Sequence, residues 1–222
     1  MAFSVYVQAV RLTLAEKGVP HDLVEVNPFA PEGVPDWYGA LHPFGKMPAF
    51  AHADVRLFES EAIARYVDEA FSGPALQPAD PAARAKMAEV ISVMRAYAYP
   101  NWVWTIFIER VSKPRKGGLC DEARVAKALP EAVKIARVLT ELMGSAPWLA
   151  GTREPTLADF FAVPMMNCLS GTPEWGPIIE AQPELLAWWE RMRHRRSAIR
   201  LLDLPCCVRR RTRTAKYRRY SG

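Results

Sequence analysis

The chain predicts two parts in series, a small α/β domain followed by an all-helical one. Three observations lead there. Short β-branched or aromatic runs of strand length occur only before Ser60. Beyond residue 81 the apolar residues repeat at helical spacing and no strand pattern competes. Between the two, residues 70–81 carry Gly73, Pro74, Pro78 and Pro81, a composition suited to a connection rather than to the interior of an element. At 222 residues, half of them apolar, the chain is long enough for two such units, each with its own core. Residues 1–72 are assigned to the α/β domain, 73–82 to the linker, 83–200 to the helical domain, and 201–222 to an atypical basic tail expected to be disordered.

Each element has a local cause. Val7, Val10 and Leu14 recur at helical spacing over residues 4–17, and Gly18 follows where a left-handed residue ends a helix. Asp22-Leu-Val-Glu-Val26 is short and β-branched and reads as a strand, after which Pro28, Pro31, Gly33 and Pro35 forbid regular structure up to Trp37. Pro48-Ala-Phe-Ala51 and Val55-Arg-Leu-Phe58 flank a turn-like His52-Ala-Asp54, the pattern of an antiparallel hairpin. Ser60 opens a helix whose inner face is Ile63, Tyr66, Val67 and Ala70. Further helices are read over residues 82–99, 121–143, 157–169 and 184–196. Thr156-Leu-Ala-Asp159 resembles a capping box with Asp in place of Glu, and Phe160, Phe161 and Val163 send the helix that it starts into a core.

Charge and cysteines narrow the function classes. The formal charge is +5, but Arg209, Arg210, Arg211, Arg213, Lys216, Arg218 and Arg219 all lie beyond Cys206, where there is no acid. Setting those seven of 29 bases aside leaves 22 against 24 acids, so the body is nearly neutral and nucleic-acid binding is not expected of it. The tail, with Tyr217 and Tyr220, reads as a solvated extension before it reads as a contact for phosphates or an acidic membrane. No apolar run reaches the roughly 18 residues that cross a bilayer and no secretory leader is evident, so a cytoplasmic protein is expected. Cys120, Cys168, Cys206 and Cys207 lack metal or disulfide-framework spacing and are read as reduced thiols; no metal is expected. His21, His42, His52 and His194 have no partner spacing and are read as surface or loop residues.

Four segments stand in an informative order: Val10-Arg-Leu-Thr-Leu-Ala-Glu-Lys-Gly18, the loop His42-Pro-Phe-Gly-Lys-Met-Pro48, Leu57-Phe-Glu-Ser-Glu-Ala-Ile-Ala-Arg-Tyr66, and the cap at Thr156 to Asp159. Together they resemble the cytosolic glutathione S-transferase family, in its bacterial, serine-type, theta/phi-like form, over residues 4–197. The resemblance implies a thioredoxin-like α/β domain that binds glutathione and a helical domain that shapes a pocket for an electrophile. Glutathione would be the co-substrate, a small hydrophobic electrophile the other partner, and a homodimer the assembly.

The same resemblance assigns roles. A proline after Met47 suits a cis bond, and Met47 and Pro48 would let the backbone pair with an extended tripeptide. Glu59 would take the ammonium and Ser60, at a helix start, the carboxylate of the γ-glutamyl end; read alone, Ser60 is a helix cap and Glu59 a surface charge. Lys46 would meet the glycyl carboxylate as a point charge. Ser4 falls where serine-type members hold the hydroxyl that stabilises the glutathione thiolate, with Tyr6 as the alternative; Ser4 reads equally as an N-cap. Tyr97, Tyr99, Trp102, Trp104 and Met165 are the candidate acceptor wall, although aromatic stripes more often belong to a core.

The family begins with a strand, and only Met1-Ala-Phe precedes Ser4, so the first strand is expected to be missing or a stub. That leaves a second reading, a non-catalytic glutathione- or ligand-binding scaffold that is a truncated or degenerate member. A third, an interaction module working through the basic tail, would bind with steep salt dependence.

Overall fold

The structure, a computed structural model, describes residues 4–202. The expected stub at residues 1–3 and the tail beyond Leu202, including Cys206 and Cys207, lie outside the described residues.

Helix α1 (Val5–Glu16) ends at Lys17 and Gly18, the latter in the left-handed region at φ 68°. The sequence showed one apolar face; the structure uses two. Val10 and Leu14 pack with Ile63 and Val67 against Phe50 and Leu57 of the α/β part. Val5, Ala9 and Leu12 instead join the large core of the helical part. A helix buried on two sides has little polar face left, and even Gln8 and Thr13 are buried.

Strands β1 (Ala49–His52) and β2 (Val55–Phe58) pair antiparallel with Ala49 opposite Phe58 and His52 opposite Val55. Their two-residue turn places Ala53 at φ 47°. Among the described residues these are the only strands. The segment 22–26 is therefore a correction: it forms no strand, and among the described residues no strand runs beside it to complete a ladder. Leu23 and Val24 are 41% and 53% exposed, and of the predicted strand only Val26 is buried. A short helix α2 (Asp36–Gly39) buries Tyr38, and α3 (Ser60–Ala70) follows β2 directly. On α3 the inner face is Ile63, Ala64 and Val67; Ala70, read as part of it, is exposed.

Residues 71–80 form neither helix nor strand, yet they are pinned. Leu76 is buried, its N–H donates to Asp68 Oδ1 at 2.8 Å, and its carbonyl accepts from Leu157 N–H at 2.9 Å. Helix α4 (Pro81–Val93) then starts with Asp80 accepting from Ala83 N–H at 2.7 Å and proline at its first turn, the position that tolerates it. It does not stop at Tyr99. A π-helical stretch (Met94–Ser112) carries the helix through Pro100 and on into α5 (Lys113–Arg115). Met94, Ala98, Trp102 and Ile106 are fully buried along one line of it. Burying large apolar side chains at about 1.5–3 kcal/mol each outweighs the roughly 3 kcal/mol that an interior proline costs.

Helices α6 (Glu122–Met143), α7 (Leu157–Ser170), α8 (Trp175–Ile179), α9 (Pro183–Arg193) and α10 (Arg196–Leu202) complete the helical part. The short α8 and α10 carry too few turns to show a period, and the sequence reading lacks them. Helix α7 is the central member, with nearly every residue buried. Its capping residue Asp159 accepts from the Thr156 N–H at 2.7 Å, the Leu149 N–H at 3.0 Å and the Trp188 indole at 2.7 Å. No helix among the described residues is long and apolar enough to cross a membrane.

Candidate functional site

A cleft of about 640 Å³ lies between the loops of the α/β part and the π-helical stretch. Ser4, Tyr6, Lys46, Met47, Glu59 and Ser60 all line it. The α/β side is positioned from below. Tyr38 of α2 donates its hydroxyl to the Lys46 carbonyl at 2.7 Å, which anchors the 42–48 loop. The Met47–Pro48 peptide is cis, and β1 begins at the next residue; Pro48 itself does not line the cleft.

Glu59 joins β2 to α3 with φ 71° and ψ 114°, a left-handed conformation that a side chain normally avoids. Such strain persists where surrounding structure holds it and concentrates at functional positions. It turns the chain so that α3 opens at Ser60, which is buried and faces the cleft. The first N–H groups of α3 have no partner within the helix, and the helix dipole adds positive potential there.

Ser4 sits at the start of α1 in extended conformation, and its side chain makes no capping bond. Its hydroxyl is thus not committed to the role that the sequence left as the equal alternative. Tyr6 packs on Tyr99 with ring centroids 4.7 Å apart, and both phenols have their pKa raised chiefly by burial. For Tyr6 the neighbouring Tyr99 adds to the rise and Arg95 works against it. Tyr6 therefore stays a neutral phenol at physiological pH.

The acceptor wall differs from expectation. Tyr99 and Trp104 line the cleft. Trp102 does not: it is fully buried, and its indole N–H donates to the Ala132 carbonyl at 3.3 Å. Met165 likewise lies in the core of α7, while Tyr97 is 56% exposed and off the cleft. Val103, Phe107 and Ile108 are lining residues that the sequence reading missed. The reason is geometric. Tyr99, Val103 and Phe107 stand four residues apart on one face of a helix that the reading had ended at Pro100, and Trp102 belongs to the opposite, core-facing line.

His42, read as a surface or loop residue, does lie in a loop but not at the surface: it is only 2% exposed and lines the cleft, its ring 5.0 Å from that of Phe58. Its Nδ1 is buried without a hydrogen-bond partner among the described residues. Burial lowers its pKa, with Glu59 pulling in the opposite direction. Arg95, which also lines the cleft, was missed too, although it lies within the helix read over residues 82–99; its place four residues before Tyr99, one turn back on the same face, was the available signal. Cys168 is buried at the cleft, whereas Cys120 is half-buried and accepts from Arg110 Nη1 at 3.3 Å. No group of three or more His, Cys, Asp or Glu side chains placed to hold a metal ion occurs among the described residues.

Known proteins resemble this chain in sequence and fold. Residues 1–75 match the N-terminal domain of glutathione S-transferases and residues 102–196 the C-terminal domain. A glutathione S-transferase of Hyoscyamus muticus is 32% identical over 189 residues, 84% of this chain and 88% of that protein. Glutathione S-transferase 3 of Zea mays is 33% identical, covering 86% of this chain and 85% of its own. The apo form of glutathione S-transferase III superposes with a TM-score of 0.80 at 32% identity, covering 92% of this chain and 94% of that one. The maize enzyme I in complex with an atrazine glutathione conjugate gives 0.78 at 27% identity, with 92% and 94% covered.

Proposed function

The chain belongs to the glutathione S-transferase family, and from that premise we propose how its cleft divides the work. The protein is a transferase that joins the sulfur of glutathione to an electrophile. Residues 1–72 hold the tripeptide and residues 83–200 shape the acceptor pocket. Backbone groups of Met47, beside Pro48, pair with the cysteinyl unit as an added strand would. Ser60 and the first amides of α3 receive the γ-glutamyl carboxylate, Glu59 its ammonium, and Lys46 the glycyl carboxylate.

Ser4 donates a hydrogen bond to the sulfur, and the positive end of α1 favours the anion there. The thiol proton leaves to solvent; the serine stabilises charge and abstracts nothing. The thiolate then forms a C–S bond to the electrophile. A leaving group departs with the bonding pair, or, in conjugate addition, the adjacent carbon takes a proton from water. Tyr99, Trp104 and Phe107 exclude water from an apolar acceptor. The protein is a serine-type, theta/phi-like member acting as a cytoplasmic homodimer.

The observation that carries this reading is the convergence of Ser4, Met47 and Ser60 on one cleft with an aromatic wall opposite. Titration calorimetry with reduced glutathione, and conjugation to a chloronitrobenzene followed by absorbance, test it. The wild type binds and turns over. Ser4→Ala retains binding but raises the pKa of the bound thiol and lowers kcat/KM about 10- to 100-fold, as loss of a hydrogen bond to a charged group does. Binding without turnover in the wild type favours the scaffold reading, and no tripeptide uptake overturns both.

A further inference from the structure

The helix start assigned to an anion is flanked by two acids. Glu59 precedes Ser60 and Glu61 follows it, so an incoming carboxylate would meet two negative charges where the helix dipole offers only about half a positive one. The compensation comes from the other half of the molecule. Arg95, on the π-helical stretch, spreads its guanidinium across both acids: Nη2 lies 3.0 Å from Glu59 Oε2 and Nη1 lies 3.2 Å from Glu61 Oε2. Arg65, one turn along α3, takes the other oxygen of Glu61 at 2.9 Å. Two acids and two bases thus cancel, and Glu59 Oε1 is left for a cation. Arg95 also lines the cleft beside Tyr6, whose raised pKa its charge opposes. His42, whose Nδ1 is buried without a partner among the described residues, lines the same cleft, so the clasp borders a partly polar cavity rather than open surface.

We propose that Arg95 is a positioning residue for glutathione: by neutralising Glu59 and Glu61 it lets the γ-glutamyl carboxylate settle on Ser60 between them. This rests on the glutathione site proposed above and adds to it a residue from the helical part. The ligand's ammonium needs no such help, since Glu59 attracts it with or without Arg95. Carboxylate and ammonium therefore respond differently to the loss of Arg95, which a purely structural clasp between the two halves would not produce.

Calorimetry on the full chain at low ionic strength separates these cases with two ligands, glutathione and its analogue 4-aminobutyryl-cysteinyl-glycine, which keeps the ammonium and lacks the α-carboxylate. Arg95→Gln weakens glutathione about 10-fold or more, the scale of one uncompensated charge at a few Å, and leaves the analogue unchanged or tighter. Arg95→Lys recovers most of the loss, and the gap between the ligands narrows as salt rises. Adding Glu61→Gln to Arg95→Gln restores glutathione affinity, a result that an unfolded or unclasped variant cannot give. Equal weakening of both ligands, or no weakening of glutathione, overturns the role of Arg95 and leaves the glutathione site standing. A wild type that takes up neither ligand overturns both.

Discussion

At His42 a buried imidazole faces the cleft with one nitrogen unpartnered among the described residues, and burial favours its neutral form. Its folded pKa lies below the value of about 6.5 that it regains on unfolding. The sign follows: above that value the group costs the fold nothing, and as pH falls from it toward the lower folded pKa the unfolded chain binds more of the proton than the folded one, so stability is lost over that window and no further below it. The thermal midpoint of the wild type should decline on acidification below about pH 6.5, and His42→Asn should flatten that part of the profile. The slope removed is at most about 1.4 kcal/mol per pH unit, the value for one proton; an unchanged slope would show the imidazole protonating freely. Nothing in the spacing of the four histidines singles this one out. Its distinction comes from the rings around it: Tyr38 and Phe44 are near neighbours in the chain, but Phe58 meets the imidazole from the end of β2, a contact that spacing does not show.

Among the elements, the π-helical stretch carries the sharpest division of labour. Trp102 and Trp104 are two residues apart, yet one fills the core and the other faces the cleft. Trp102→Ala should lower stability by about 3–5 kcal/mol in denaturant titration, as emptying a large buried site does. Trp104→Ala should change stability by less than about 1 kcal/mol and raise KM for the electrophile rather than for glutathione. Similar losses of stability at both positions would contradict this division. Composition alone marks both as large aromatics; only the continuation of the helix past Pro100 says which side each takes. The α7 cap is the opposite case. Thr156 and Asp159 were readable as a pair because capping is local chemistry within one turn, although the further bonds of Asp159 to Leu149 and Trp188 were not.

Across the whole molecule, α1 is wedged between the hairpin with α3 on one side and the helical core on the other. Its C-terminal end is tied down twice. Glu16 pairs with Arg195 at 2.6 Å, and Lys17 pairs with Asp68 at 3.1 Å while also donating to the Pro74 carbonyl at 3.0 Å. The Lys17–Asp68 pair is almost wholly buried. Lys17→Met should therefore destabilise by about 3–5 kcal/mol, because it leaves the Asp68 carboxylate buried without its counter-charge. Lys17→Met combined with Asp68→Asn should recover part of that loss in the same denaturant titration, and no recovery would mean that the lysine acts through its bond to Pro74. These ties fix α1, whose other end carries Ser4 to the cleft that Met47 and Ser60 also line, so under the proposed function they would bear on activity as well as stability.

What the residues alone carried was whatever depends on near neighbours. The helix that stops at Gly18, the hairpin turn at Ala53, the start of α3 at Ser60 and the cap at Thr156 all follow from a few adjacent side chains. So does the order of motifs that resembles a glutathione transferase. What required the assembled chain was whatever depends on a distant partner. Residues 22–26 have strand composition but no neighbouring strand among the described residues, and composition cannot supply a ladder. The helix through Pro100 survives because α6 and α7 bury its apolar line, and that burial turns Tyr99, Val103 and Phe107 toward the cleft. Arg95 reaches Glu59 and Glu61 from more than thirty positions away in sequence. Local propensity is a property of a segment, whereas burial and charge compensation belong to pairs of surfaces that exist only once the chain has folded.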